Sequence, residues 1–106
     1  MTGTLAKLEA TIAARRSADP TSSYVARLSA KGPAKIAQKV GEEATETVIA
    51  ALTGSKAELV GEAADLLFHL LVLLAAKEVT LAEVLAELDR REGTSGIAEK
   101  AGRKPD

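Results

Sequence analysis

Residues 59–76, LVGEAADLLFHLLVLLAA, constrain the fold more than any other stretch of the chain. Wound as a helix, Leu59 to Leu74 place apolar side chains on nearly every side, so this helix is expected to be buried on most of its surface. Yet Glu62 and Asp65 are three positions apart and His69 follows Asp65 by four, so all three share one narrow stripe. Acids on a mostly buried helix are costly unless paired or bound to a cation. At 106 residues the chain fits one domain, 1–106. Four or five helices in so small a monomer could hardly cover such a helix on every side. The expected fold is therefore an all-α antiparallel helical bundle whose core is completed by a homodimer. The run LLFHLLVLLAA alone is too short for a membrane span, which needs about 20 apolar residues.

Helix signals are dense elsewhere. Alanine, leucine and valine dominate and aromatics are 2% of residues, a mix that favours helices over sheets. Thr4 suits the cap of a first helix through about Arg16, which SADPTSS then breaks. A short helix is expected over Tyr24 to Ala30, ending at Lys31-Gly32. Pro33 suits the first turn of a long helix reaching about Thr53, with Gly54 at its end. SKAE at 55–58 reads as a capping box for a helix to about Lys77, and TLAE at 80–83 as another for a helix to about Arg91. Arg90 and Arg91 then suit the negative end of that helix. EGTSG breaks the pattern, SGIAEKAGR allows one or two further turns, and KPD is expected to be loose. Two long helices joined by a tight turn lie antiparallel.

Charge and cysteine content remove several function classes. A net charge of −1 argues against broad electrostatic binding to nucleic acid or an anionic membrane. The chain has no cysteine, hence no disulfide framework and no thiolate nucleophile, which fits a cytoplasmic protein. The N-terminal MTGTLAKLEATIAARR lacks the continuous apolar core of a signal peptide.

The stretch KVGEEATETVIAAL, residues 39–52, crowds Glu42, Glu43 and Glu46 into five positions. On a helical wheel Ile36, Val40, Ala44, Val48 and Ala51 form one stripe, and Lys35, Lys39 and the three glutamates an adjoining flank. Taken alone, this is a solvated face whose helix ion pairs are each worth a few tenths of a kcal/mol. Antiparallel pairing changes the balance, because Glu43 and Glu46 can then face Glu62 and Asp65. No nearby arginine run could neutralise all four, although Lys39 could offset one. Converging carboxylates suggest a hard divalent cation such as Mg²⁺, which favours oxygen ligands and is commonly shared with phosphates. Zinc fits less well, with one histidine and no cysteine, and the Glu-x-x-His pairs of a di-iron bundle do not occur. Glu58 belongs to the capping box. His69 is either a hydrogen-bonded core residue or a partner of Asp65.

These residues carry a resemblance. EEATE at 42–46 followed by EAAD at 62–65 resembles the E-E-x-x-E…E-x-x-D signature of the all-α nucleoside triphosphate pyrophosphohydrolases, which include MazG-like and dimeric dUTPase families. SYVARLSAKGPAKIAQKVGEEATETVIAA, ELVGEAADLLFHLLVLLAAKEVTLAEVLAELDRR and GTSGIAEKAGRK resemble the phosphoribosyl-ATP pyrophosphohydrolases of histidine biosynthesis, over about residues 4 to 104. Position 68 is Phe, where Tyr is expected as often, and this removes a hydroxyl.

The resemblance implies cleavage by water of the α–β phosphoanhydride of 1-(5-phosphoribosyl)-ATP, giving 1-(5-phosphoribosyl)-AMP and pyrophosphate. It implies Mg²⁺ as cofactor, with Mn²⁺ as a substitute. Glu43, Glu46, Glu62 and Asp65 become metal ligands, and Glu42 an outer ligand or water-orienting base, with Glu42 and Glu43 as the catalytic residues. Basic residues would hold the remaining phosphates. Arg27, Lys31, Lys35 and Lys39 recur every four positions, although Gly32-Pro33 interrupts the helix between them, and Lys35 and Lys39 are expected beside the acids. Lys100 and Arg103 in the tail are expected to close over the ribose phosphate. The implied partners are this small-molecule substrate and a second copy of the chain, with the site near the subunit interface, and neither nucleic acid nor membrane. Two alternatives remain open from the sequence: a MazG-like enzyme acting on ordinary or damaged nucleoside triphosphates, and a non-catalytic helical dimerisation module.

Overall fold

The computed structural model describes residues 2–93, which form five helices and no strand: α1 (Thr2–Arg15), α2 (Tyr24–Ala30), α3 (Pro33–Thr53), α4 (Lys56–Ala76) and α5 (Leu81–Arg91). The expected turns in SGIAEKAGR, the KPD end, Lys100 and Arg103 lie outside the described residues.

The turn between α3 and α4 determines the architecture. Gly54 closes α3, its N–H donating to the Ala50 carbonyl at 2.9 Å, and the next residue opens α4. The Ser55 hydroxyl accepts from the Glu58 N–H at 3.1 Å, and the Glu58 carboxylate accepts from the Ser55 N–H at 2.7 Å. A C-cap and an N-cap on adjacent residues leave no linker, so the two 21-residue helices fold back on one another. Space there is tight: a Cβ on Gly54 would meet the Ala50 oxygen at 3.0 Å and Glu58 Oε1 at 3.1 Å.

The remaining helices gather at the end of the hairpin away from this turn. Ser23 caps α2 by accepting from the Ala26 N–H. Gly32, at φ 93° and ψ 166°, turns the chain through a conformation that favours glycine, and Pro33 starts α3. Thr80 and Glu83 form the expected capping box of α5, and the Leu81 N–H donates to Glu9 Oε2 at 2.8 Å, tying α5 to α1. The core is Ile12 of α1, Val25 and Leu28 of α2, Ile36 of α3, and Leu71 and Val72 of α4.

Three expectations need correction. The first helix begins at Thr2 and ends at Arg15, so Thr4 lies inside it, a shift of the size at which helix ends fray. The helix carrying the long apolar run is buried only at His69, Leu71 and Val72, because α1 and α2 reach only its C-terminal half, while Val60 and Leu67 remain exposed. The helix, started at Lys56 by its capping box as expected, also exceeds the short apolar run that argues against a membrane span. With a mean hydropathy of 1.9 over its most apolar window, α4 is long and apolar enough by length and composition to cross a membrane.

Candidate active site

The antiparallel hairpin brings together the acids that the sequence spacing selects. Glu43 of α3 and Glu62 and Asp65 of α4 each offer a carboxylate oxygen, and these oxygens lie within 4.8 Å of one another. Their exposure is graded: Glu43 is buried at 6% relative accessibility, Glu62 is half-buried and Asp65 is exposed. Glu43 Oε1 and Glu62 Oε1 are both buried without a hydrogen-bond partner. Leaving a buried polar atom unsatisfied costs about 1–3 kcal/mol, and more for a charged group. Two such oxygens in one all-oxygen cluster suit a hard cation such as Mg²⁺.

Glu46 adjoins this cluster. Burial pushes the Glu62 carboxyl above its ordinary value, and the neighbouring Glu46, Glu43 and Asp65 push it further in the same direction. Glu42 occupies the opposite flank, where it is exposed. Its Oε2 accepts from Gln38 Nε2 at 3.0 Å, and its Oε1 lies 3.8 Å from Lys39 Nζ. Lys39 also reaches Glu43 Oε2 at 3.5 Å and so bridges the two glutamates. Desolvation pulls the Lys39 ammonium down, but the combined attraction of Tyr24, Glu43 and Glu42 outweighs it and leaves the group above the ordinary lysine range. Lys35 does not touch the acids as expected. It donates to Gln38 Oε1 at 3.3 Å, and Gln38 in turn donates to Glu42, because Lys35 lies two helical turns before Glu42.

All four regularly spaced cations line one cleft. Arg27, Lys31, Lys35 and Lys39 surround about 310 Å³ of space, with Tyr24 and Glu42 also in its walls. On the other flank of the acids, a cleft of about 260 Å³ is bounded by Glu46, Ile49, Ala50, Thr53, Glu58 and Glu62.

Tyr24 has no signal in the sequence. Its hydroxyl lies 2.8 Å from Nε2 of His69, and His69 Nδ1 lies 2.8 Å from the Asp65 backbone carbonyl. A carbonyl only accepts, so Nδ1 carries the ring proton, Nε2 accepts, and the Tyr24 hydroxyl donates to it. His69 is therefore a hydrogen-bonded core residue that ties α2 to α4, and it meets the backbone of Asp65 rather than its carboxylate. Phe68 stacks against the Tyr24 ring with centroids 6.1 Å apart. Glu58 serves the capping box, as expected.

Comparison with known proteins agrees with this geometry. A family model described as phosphoribosyl-ATP pyrophosphohydrolase matches residues 5–92. A phosphoribosyl-ATP pyrophosphatase of Novosphingobium aromaticivorans is 78% identical over 99 residues, covering 93% of this chain and 92% of the relative. The protein of the same name from Erythrobacter litoralis is 77% identical over 100 residues, covering 94% and 96% of the two chains. That from Rhizorhabdus wittichii is 72% identical over 103 residues, covering 97% of each. A helical hairpin that gathers Glu43, Glu62 and Asp65 beside a cation-lined cleft, in a chain matched along nearly its whole length, belongs to the phosphoribosyl-ATP pyrophosphohydrolase family.

Proposed function

We propose that this chain hydrolyses 1-(5-phosphoribosyl)-ATP to 1-(5-phosphoribosyl)-AMP and pyrophosphate in histidine biosynthesis, as a cytoplasmic homodimer that needs neither nucleic acid nor a membrane. The observation that carries the reading is the pair of buried, unpartnered oxygens on Glu43 and Glu62 beside a cleft of four cations, in a chain of this family. Glu43, Glu62 and Asp65, joined by Glu46, would hold Mg²⁺ or Mn²⁺. When bound, the metal supplies positive charge that polarises phosphoryl oxygens and lowers the pKa of water.

The residues of the chain do the rest. Glu42 is the exposed carboxylate at the edge of the cluster, and Gln38 occupies its Oε2. Its Oε1 orients the attacking water and takes its proton. The water oxygen bonds to the α-phosphorus, the bond from that phosphorus to the α–β bridging oxygen breaks, and pyrophosphate leaves with the bonding pair. Glu43 is a metal ligand and is kept in place by Lys39. Arg27, Lys31, Lys35 and Lys39 neutralise the polyphosphate, and Lys100 and Arg103, outside the described residues, would bind the ribose phosphate. Such chemistry rests on positioning and charge neutralisation, so no covalent nucleophile is required.

The exposed apolar residues support the dimer. Val48, Leu52, Val60 and Leu67 are 58%, 79%, 62% and 47% exposed in the single chain. They lie on the part of the α3–α4 hairpin that α1 and α2 leave bare, and a second copy would cover them and Val60 and Leu67 of α4 in particular. Pyrophosphate release from phosphoribosyl-ATP, dUTP and dCTP, with and without Mg²⁺, tests the activity. Mg²⁺-dependent release from phosphoribosyl-ATP in strong preference to the others is expected. Equal turnover of dUTP or dCTP would instead indicate a general triphosphate pyrophosphohydrolase, and no release would favour a non-catalytic helical module.

A further inference from the structure

We propose that the cleft between α2 and α3 seats the β,γ-diphosphate that leaves as pyrophosphate, while the nucleoside side of the substrate lies toward Ile49, Ala50 and Thr53 on the opposite flank of the acids. This orientation rests on the hydrolytic reading above and adds a direction to it. The first ground is uncompensated charge. Among the described residues only Lys39 of the four cleft cations has a carboxylate within ion-pair distance; Arg27 donates to the Pro20 carbonyl and Lys35 to Gln38, and neither is neutralised. Lys31 is exposed on the same wall. The cleft therefore carries a surplus of positive charge that only an anion can offset.

The second ground is the contrast between the flanks. The cleft on the far side of the acids has carboxylates from Glu46, Glu58 and Glu62, apolar Ile49 and Ala50, and, among the described residues, no cation. That lining repels a diphosphate and accepts the uncharged adenosine portion of the substrate, beyond which the phosphoribosyl phosphate extends. The third ground is the chemistry. As the α–β bridging bond breaks, negative charge builds on the bridging oxygen and passes to the diphosphate. Cations lower the barrier only if they face the group that gains charge. Lys39, set between Glu42, Glu43 and the cleft, stands where the scissile bond would cross from one flank to the other.

The means by which the sequence builds this seat is Gly32. Its positive φ redirects the chain between Lys31 and Lys35, so cations from two separate helices share one wall. Tyr24 contributes to the same wall with its proton committed to His69, which leaves the phenolic oxygen as an acceptor near the Lys39 ammonium.

Product inhibition separates the two ends of the substrate. Inorganic pyrophosphate and AMP are titrated as inhibitors of phosphoribosyl-ATP hydrolysis in wild type, Lys31→Gln, Lys35→Gln and the charge-retaining Lys35→Arg, with binding to each protein also followed by calorimetry in Mg²⁺. Both lysines are exposed, so the variants are expected to fold, and circular dichroism verifies this. Removal of a charge-assisted contact should weaken pyrophosphate about tenfold in each Gln variant, leave AMP within about twofold, and spare pyrophosphate in Lys35→Arg. Weakening of AMP with pyrophosphate unchanged would reverse the orientation and overturn the proposal, as would an equal effect on both or none on either. A wild-type protein that fails to hydrolyse phosphoribosyl-ATP would refute the activity itself. Calorimetry would then still report whether pyrophosphate occupies this cleft.

Discussion

At the scale of single residues, the site depends on where hydrogen-bond and charge partners are supplied and where they are withheld. Tyr24 shows the first case. Its hydroxyl satisfies Nε2 of His69, a residue only 7% exposed. Tyr24→Phe should leave that nitrogen unpartnered and lower the urea-unfolding stability by about 1–3 kcal/mol. An unchanged midpoint would mean that the contact contributes nothing. The acids show the second case, since the oxygens of Glu43 and Glu62 are buried without a protein donor. The acid cluster was legible in the sequence because EEATE and EAAD carry regular helical spacings, and a tight turn forces their helices together. The Tyr24–His69 bond was not, because its partners are 45 positions apart and no local pattern marks either as the other's partner. Gln38 was missed for a different reason. An exposed glutamine on a charged flank looks like solvent-facing filler, yet it links Lys35 to Glu42.

At the scale of the elements, local chemistry sets nearly every boundary, and this is why the helices could be placed from sequence. Ser55→Ala removes the N-cap of α4 and should cost about 1 kcal/mol in thermal or urea unfolding. Gly54→Ala should cost about 1–3 kcal/mol by crowding, because its Cβ would meet backbone at Ala50, which cannot move aside without distorting α3. If Gly54→Ala were neutral, the turn would be looser than described. The last turn of α5 makes a pH prediction. Side-chain bonds from Arg90 and then Arg91, at 2.7 and 2.9 Å from Glu87 Oε2, hold the Glu87 carboxyl down at about 2. A depressed carboxyl stabilises the fold fully above its ordinary value of 4.5, and that contribution fades as pH falls from 4.5 toward 2. Because the three side chains are well exposed, the effect on overall stability is small and screened by salt. An NMR titration of the Glu87 carboxyl is the direct check. An ordinary midpoint near 4.5 would show that the pairing does not persist in solution.

At the scale of the whole molecule, the central fact is that one end of the α3–α4 hairpin is packed and the other is bare. The apolarity of α4 was legible in the sequence, but not which of its surfaces the chain's own helices cover. That depends on the reach of α1 and α2, whose contacts with α4 extend to Phe68 and His69. Leu67, 47% exposed, therefore tests assembly better than the buried Leu71, where a charge would also damage the chain's own core. Leu67→Glu should convert the proposed dimer to a folded monomer, since burying an unpaired charge costs several kcal/mol. Size-exclusion chromatography with light scattering reports the mass, and a monomeric wild type at micromolar concentration would contradict the interface. The same bare hairpin carries the acids, so the proposed dimer interface and the proposed site share one piece of structure.

The central claim is that the carboxylates are crowded because a divalent cation and a polyphosphate neutralise them. Asp65→Asn tests it most directly, since it keeps volume and a hydrogen-bonding oxygen while removing the charge that holds a hard cation. Turnover of phosphoribosyl-ATP and the metal-free urea midpoint are measured on the same preparation. The account predicts turnover reduced by about 100-fold or more, with metal-free stability equal to or above wild type because repulsion is relieved. Near-normal turnover in a folded Asp65→Asn protein would contradict it.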